Sequence, residues 1–414
     1  MGQAHARIAN NIRPKLREVA VKLILKLLAG MAVGLALGLW APDGPLALLM
    51  TFKALFGQFI GFMIPLIIVF YIMSGIAALE SNSGKMLGWT VGLAYCSTIL
   101  SGLAAFAVAS GVLPSLIAQG VHATDKPAAI KALFTLEIKP LFDVMTALML
   151  AFVFGLGIAV TRALRLKEVV DQGKDIVELV LAKVLIPLLP AYIACVFAEM
   201  AADGSVFSTL KTFGVVLVLA IAMHWIWLTL LYTVTGLASG RNPWSLIRNM
   251  LPAYLTALGT MSSAATIPVA LRSAKQMKVS GPVADFVMPL CATIHLCGST
   301  ITLVTCATAV MLMTAGLDVP SWDVMFPFIL LLGVTMVAAP GAPGGAVMSA
   351  LGILASMLHF PEASLALMIA LYLAQDSFGT ACNVTGDGVI ALWLDRIMGR
   401  PAEEVEAKPA SQQV

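Results

Sequence analysis

Long apolar runs separated by short polar segments follow one another along most of the chain. A helix needs about 20 apolar residues to cross the ~30 Å hydrocarbon core of a bilayer. These runs predict membrane-spanning helices, because a helix satisfies its own backbone hydrogen bonds in lipid. The first six predicted spans are residues 19–40, 45–78, 86–117, 141–160, 176–197 and 210–237.

Two later apolar segments are interrupted near their middle. Residues 252–274 have two short arms around Ser262 and Ser263, and residues 325–360 have two arms around the sequence APGAPGG at 339–345. Paired interruptions of this kind predict re-entrant helical hairpins at a transporter site, about residues 250–278 and 325–358. Free N–H groups at a hairpin tip favour an anion such as a carboxylate. A continuous helix with a proline kink is the alternative for each segment.

The apolar segment between the hairpins, residues 283–313, contains the polar sequence CATIHLCGST at 291–300. Thr293 and Gly298 weaken helical continuity there, so we predict a local unwinding that frees carbonyl groups for a cation. Three roles are open for His295: a proton carrier, a hydrogen-bonded spacer or a satisfied buried histidine. We expect Cys297 to fill space as a small apolar side chain.

The last apolar run, residues 365–394, lies within a predicted helix at 362–397 and carries polar groups where lipid should exclude them. Asp376, Thr380, Asn383 and Asp387 are four, three and four residues apart, so a helix places them on one narrow stripe. An ionisable side chain at mid-membrane costs about 2.5 to 3.5 kcal/mol on insertion scales. The stripe therefore predicts a binding site, and a structural network closed by buried partners is the alternative.

Composition indicates an all-α integral membrane protein. The 414 residues are 60% hydrophobic and 11% charged, whereas soluble domains are about 25% charged. The net charge of +3 is too small to indicate a nucleic-acid partner. Basic residues gather on one side of the predicted spans, which predicts that both termini are cytoplasmic. We expect the chain to lie in a bacterial-type inner membrane. We expect residues 1–18 to form a retained cytoplasmic arm, 118–139 an outer loop and 401–414 a disordered tail.

Four motifs, taken in order along the chain, resemble the dicarboxylate/amino acid:cation symporter family, the glutamate-transporter homologues. They are SSAATIP at 262–268, ATIHLCG at 292–298, GAPGG at 341–345 and DSFGTACNVTGD at 376–387. The resemblance implies eight membrane helices and two re-entrant hairpins related as inverted repeats. It also implies a homotrimer of elevator type, surrounded by membrane lipid, in which a transport domain moves past a fixed scaffold.

The same resemblance implies a domain division and a set of substrate-binding residues. Residues 19–240 would form mainly the scaffold, with the third and sixth helices joining the transport core at 241–400. Asp376 would hold the amino group of an amino acid beside Thr380, and Asn383 and Ser263 would contact its α-carboxylate. The whole implied set is Ser262, Ser263, Ser299, Gly341, Pro343, Gly344, Asp376, Gly379, Thr380 and Asn383.

Cation sites are also implied, since the family couples transport to Na⁺ or H⁺ and uses no other cofactor. Asp387 and Asn383 with backbone near Cys291 and His295 would form one sodium site. Thr293 with carbonyls between Met336 and Ala339 would form a second, and Tyr95 and Thr98 match residues near a third. The whole implied set is Tyr95, Thr98, Cys291, Thr293, His295, Met336, Ala339, Asn383 and Asp387.

Departures from the family pattern narrow these expectations. Members with acidic substrates have an arginine where this chain has Gly379, and some have one where it has Met261. Without a fixed cation an acidic side chain would be unpaired in a low-dielectric pocket. We therefore expect a small neutral amino acid such as serine, threonine or alanine, an acidic amino acid or C4-dicarboxylate being the alternative.

A second departure concerns the ions. The family sequence Asn-Met-Asp-Gly reads HLCG at 295–298 in this chain. Hard cations prefer oxygen, and thiol or imidazole groups replace a lost carboxylate poorly. We expect the third sodium site to be absent, and coupling to fewer sodium ions or to protons, with His295 as the candidate carrier.

Three classes of function compete for this sequence, and we expect a transporter that is not an enzyme. An intramembrane hydrolase would need a pair such as Ser263 with His295, but the chain has no GxSxG-type sequence around either residue. A channel is the third class. Paired hairpins around a polar midplane site favour alternating access instead.

Overall fold

Every regular element that the structure describes is a helix, which confirms the predicted all-α class. The structure is a computed structural model and describes residues 25–77, 84–117, 131–204, 206–337, 339 and 343–398. The predicted arm at 1–18, residues 118–130 of the predicted loop and the tail at 401–414 lie outside these ranges. The helices are α1 (Leu25–Trp40), α2 (Asp43–Ala77), α3 (Gly84–Leu116), α4 (Val144–Thr161), α5 (Leu164–Ala202), α6 (Val206–Ser239), α7 (Pro243–Thr260), α8 (Ser263–Gln276), α9 (Gly281–Ile294), α10 (Cys297–Met313), α11 (Trp322–Val337), α12 (Gly345–Met357), α13 (Glu362–Leu373) and α14 (Asp376–Met398).

By length and composition, six segments of the described chain can cross a membrane, namely α2 to α6 and the α9–α10 pair. The bent pair α13–α14 would make a seventh, and α1 is shorter. The predicted spans agree with these helices to within a few residues, except that α5 begins at Leu164 and not near residue 176. Its first half is amphipathic and buries Val170 and Val177 among charged residues, so a search for apolar runs misses it.

Two helices contain a short π-helical segment, Ile68–Ile72 in α2 and Leu181–Leu185 in α5. Each segment adds one residue to a helical turn and so changes the face that the rest of the helix presents. In α2 the part before the segment packs mainly against the second half of α5, whereas the segment and the last turn pack mainly against α4. Gly155 of α4 lies directly against Met73 and Ile76 of that turn.

The first predicted hairpin is present as α7 and α8, which pack against each other. Met261 ends α7 in the left-handed conformation with φ 51°, and Ser262 begins the next helix by accepting the Ala265 N–H with its side chain. Two helices therefore replace the proline-kinked alternative. The expected start near residue 250 is wrong, because Asn242 caps the helix and Pro243 begins it, and Pro252 lies inside.

The second predicted hairpin is present as α11 and α12, which also pack against each other. Gly344 precedes α12 with φ 78°, a left-handed conformation that glycine adopts without steric cost. Residues 338 and 340–342 at this tip, including the predicted site residue Gly341, lie outside the described residues.

Two breaks shape the core between and after the hairpins. The predicted unwinding at 291–300 is confirmed, since α9 ends at Ile294 and α10 begins at Cys297. The single helix predicted at 362–397 is wrong, because α13 and α14 are bent by 62°. The side chain of Gln375 donates to the carbonyl of Leu371, a local bond that competes with the helical ladder at the bend.

The helices form two groups around these breaks. Helix α14 is surrounded by α6, α7, α8, α9 and α10, and α3 packs along α10. Helices α2, α4 and α5 pack together on the other side, where α2 meets α12 and α5 meets α13. The polar stripe of α14 therefore lies in the interior of the larger group.

Candidate functional site

The four polar side chains of the α14 stripe are all buried. Asp376, Thr380, Asn383 and Asp387 are between 1% and 7% exposed. None of them points to the outer surface of the helix assembly. Burial of two carboxylates and an amide requires partners, because an unpaired polar group costs free energy away from water.

Asp376, the first residue of α14, contacts the tip of the second hairpin. Its Oδ2 accepts the backbone N–H of Gly344 at 2.7 Å. The hydroxyls of Thr380 and Tyr372 lie beside the same carboxylate. The Tyr372 hydroxyl is fully buried, and no described residue lies in position to form a hydrogen bond with it. A carboxylate flanked by hydroxyls is suited to an ammonium group, which donates up to three hydrogen bonds.

Asn383 is bound to the start of α10. Its Oδ1 accepts the N–H groups of Gly298 at 2.7 Å and Ser299 at 3.0 Å, and its Nδ2 donates to Ser299 Oγ at 2.8 Å. A side chain from α14 thus caps a helix that starts in the protein interior, where water cannot satisfy the free N–H groups. The structure brings together Asn383 and Ser299, both predicted substrate residues, through this cap.

Asp387 and His295 form a buried pair that extends to α3. Asp387 Oδ1 lies 2.9 Å from His295 Nδ1, and His295 Nε2 lies 2.9 Å from Ser97 Oγ. The backbone N–H of His295 donates to the carbonyl of Cys291 at 2.9 Å. Ser97, which the sequence did not single out, is the serine that contacts His295, whereas Ser263 was the expected partner in the hydrolase alternative.

His224 of α6 is a further buried histidine that sequence reasoning missed. Its Nε2 lies 3.0 Å from the Gly298 carbonyl and 3.1 Å from Thr302 Oγ1. The Gly298 peptide is therefore held on its N–H side by Asn383 and on its carbonyl side by His224. An ionisable residue within a 34-residue apolar helix was the signal that could have found it.

The side chains expected at the other cation sites have different partners. Thr293 is exposed and its hydroxyl donates to Leu290 of its own helix at 2.8 Å. The Tyr95 hydroxyl donates to the carbonyl of Leu330 at 3.0 Å. Thr98 is buried, and its hydroxyl has no hydrogen-bond partner among the described residues.

The backbone expected at the second cation site is buried in the second hairpin. Met336 lies in α11, and its carbonyl accepts the N–H of Ala339 at 3.2 Å. Both residues are buried. The Thr293 hydroxyl, engaged with its own helix, does not join these carbonyls in the described conformation.

The hairpin tips hold the remaining predicted substrate residues. Ser263, the first residue of α8, is buried, and the Ser262 carbonyl accepts the Thr266 hydroxyl at 2.9 Å. Pro343 is half-buried and precedes Gly344. Both helices of the first hairpin, α7 and α8, pack along α14, the helix that carries the polar stripe.

Gly379 of α14 lies beside this stripe, close to the start of α10. A Cβ atom at this position would be 3.2 Å from Thr302 Oγ1 and 3.5 Å from the backbone carbon of Gly298. The closest approach of the two helices is at Gly298, where a Cβ atom would be 2.4 Å from the Gly379 carbonyl oxygen. Among the described residues, no Lys or Arg makes a hydrogen bond or ion pair with Asp376, Thr380 or Asn383.

Comparisons with known proteins give a matching family model and several similar transporters. A model of the sodium:dicarboxylate symporter family matches residues 23–397. Excitatory amino acid transporter 1 of Ambystoma tigrinum is 32% identical over 203 residues, which are 48% of this chain and 36% of that protein. Neutral amino acid transporter B(0) of Oryctolagus cuniculus is 28% identical over 218 residues, or 51% and 39%, and that of Homo sapiens is 28% identical over 212, or 50% and 38%. The matches span less than two fifths of the length of these relatives.

Proposed function

We infer that this chain, which belongs to the sodium:dicarboxylate symporter family, is a secondary active symporter that carries a small neutral amino acid together with a cation. The family supplies the reaction class, cation-coupled transport rather than enzymatic chemistry. The similar proteins named above include transporters of both excitatory and neutral amino acids. The choice between these substrates therefore rests on the residues of this chain.

One observation carries the choice of a neutral substrate, the presence of glycine at position 379 beside the stripe. Gly379 has no side chain, so no cationic group extends from this position towards the stripe. An acidic substrate would bring a second carboxylate into a buried region with no cation to pair it, which costs several kcal/mol. Serine, threonine and alanine bring no such charge.

The substrate's own ammonium and carboxylate groups have distinct partners in this proposal. The ammonium binds Asp376, with the hydroxyls of Thr380 and Tyr372 beside it. The carboxylate binds N–H groups at the hairpin tips near Ser263 and the amide of Asn383, which keeps one N–H beyond the bond to Ser299. Because Gly344 already donates to Asp376, binding of the ammonium at this carboxylate is linked to the position of the second hairpin.

The identity of the coupled cation is a further part of the proposal. Asp387 already has one carboxylate oxygen bound to His295, and an imidazole can carry a proton at physiological pH. The residue two positions after His295 is a cysteine, a weak ligand for sodium. This pair favours a proton as the coupled ion, and Na⁺ bound through the second oxygen of Asp387 is the alternative.

The assembly is proposed from the same family membership. We place the chain in a bacterial-type inner membrane with cytoplasmic termini, as a homotrimer whose α14 group moves past α2, α4 and α5. Helix α4 exposes a continuous apolar surface, and we place this surface against lipid or against another subunit. Its exposed residues include Met149, Val153, Leu156 and Val160.

Uptake by the full chain in proteoliposomes tests the proposal. Labelled serine, alanine and aspartate are supplied under an imposed pH gradient or an imposed sodium gradient, and concentrative uptake of serine or alanine is expected. Saturation and counterflow distinguish a transporter from a channel, whose flux has neither. Preferred uptake of aspartate would overturn the neutral substrate.

A further inference from the structure

A cavity of about 190 Å³ lies away from the α14 stripe, between α2, α5 and α13. The non-helical segment at residues 131–142 covers it, with the N–H of Ile138 donating to Gln58 of α2 at 3.3 Å. Ile60, Ile64, Leu365 and Ile369 make most of its wall apolar. For comparison, a 150 Å³ apolar cavity in another protein holds benzene, so this volume admits one small ring or a short alkyl chain.

Two polar side chains border this apolar wall. Tyr192 is 1% exposed, lines the cavity, and its ring packs against Phe56 of α2. The Glu362 carboxylate lies at the cavity against Gly57, where a Cβ atom would overlap it. Glu362 forms no ion pair within the described chain.

Among the described residues around the cavity, the charges leave an excess of one negative charge. Lys53 is the cation near Glu362, but its ammonium is bound to Glu199. Lys139, beside the lining residues of the covering segment, pairs with Glu137. Glu362 is therefore an exposed carboxylate at the edge of an apolar space, where a cation gains a charge-assisted hydrogen bond.

We propose that this cavity binds a small organic ammonium ion with an apolar body. The ammonium donates to the Glu362 carboxylate and to the Tyr192 hydroxyl oxygen, and the apolar body packs on the isoleucine and leucine wall. The bound ion bridges α13 to α2 and α5, so it fixes the contact between the two helix groups. This site is separate from the proposed transport site and does not depend on its substrate.

Calorimetric titration of the purified full chain in lipid nanodiscs tests the site, with benzylammonium as probe and benzyl alcohol as its uncharged counterpart. Saturable binding of benzylammonium is expected, with at least about tenfold weaker binding of benzyl alcohol, since the alcohol lacks the charge-assisted hydrogen bond to Glu362. Glu362→Gln is expected to weaken benzylammonium about tenfold, and Tyr192→Phe to weaken it less.

Asp323→Asn removes an exposed carboxylate that does not line the cavity and should leave binding unchanged. Gly57→Ala, which displaces the Glu362 carboxylate, tests the same point if Glu362→Gln does not fold. The proposal is overturned if benzylammonium shows no saturable binding, if benzyl alcohol binds equally well, or if Glu362→Gln and Gly57→Ala both bind like the unchanged chain.

Discussion

The backbone nitrogen of Gly344 lies 2.7 Å from Asp376 Oδ2, so the tip of the second hairpin is bonded to the first residue of α14. The bond joins two elements that are 32 residues apart in sequence. It also occupies one oxygen of the carboxylate that we assign to the substrate ammonium. Opening of the hairpin and binding of the amine therefore act on the same side chain.

Asp376→Asn should abolish most uptake. The amide keeps an acceptor for Gly344 but loses the charge that pairs with the ammonium, which is worth about 1.5 to 3 kcal/mol, or about tenfold to hundredfold in apparent affinity. Labelled serine uptake against concentration in proteoliposomes measures this. Asp323→Asn, at an exposed helix start, is the matched control and should transport normally. Unchanged uptake by Asp376→Asn would remove Asp376 from the site.

Unlabelled aspartate should compete with labelled serine at least about 100-fold less well than unlabelled alanine. The reason is the absence of a cation beside Gly379, since about 2.7 kcal/mol of unpaired-charge cost already gives that ratio. Asparagine has nearly the size of aspartate without the charge and serves as the steric control. Equal inhibition by aspartate and alanine would contradict the assignment of a neutral substrate.

Asn383→Ala should lower the melting temperature of the purified protein more than Asn242→Ala does. The first change leaves the buried N–H groups of Gly298 and Ser299 unpaired, at a cost of about 1 to 3 kcal/mol each. Asn242 caps α7 at an exposed end where water can replace it, at about 1 kcal/mol. Thermal unfolding followed by tryptophan fluorescence compares the two. Equal shifts would mean that the α10 cap contributes no more than a surface cap.

His295→Gln should lose uptake driven by a pH gradient. Glutamine can still hydrogen-bond Asp387, but it cannot carry a proton. We expect at least about a tenfold fall in uptake rate under an imposed pH gradient, because the residue that binds the transported proton is lost. His359→Asn is the control, because His359 is exposed and its left-handed backbone suits asparagine. Intact pH-driven uptake in His295→Gln would exclude it as the carrier.

Helix breaks that are marked by a capping residue or a polar interruption close by in the sequence were predictable. The cap of Ser262 and the polar interruption around His295 both lie within a few residues of the breaks that they indicate. Helix geometry alone predicts that the polar residues from Asp376 to Asp387 share one face of the helix. In each case the information lies in consecutive residues, which is where propensity and capping act.

Other features depend on tertiary contacts that no local pattern contains. Ser97 meets His295 across 198 positions, and His224 meets Gly298 across 74. The bend between α13 and α14 falls at Gln375, where the polar stripe begins, and the apolar residues on both sides made the segment look like one helix. Pro252 looked like a helix boundary, but the actual start at Pro243 depends on the cap of Asn242.

The π-helical segment Ile68–Ile72 gives α2 two directions of contact. Removing one residue from it would restore the ordinary ladder and turn everything after it by about 100° relative to the first part of the helix. Met73 and Ile76 would then leave Gly155 of α4, while Ile60 and Ile64 stayed at the cavity. One additional residue in a helical turn therefore allows a single continuous helix to pack against two neighbouring helices that lie in different directions around its axis.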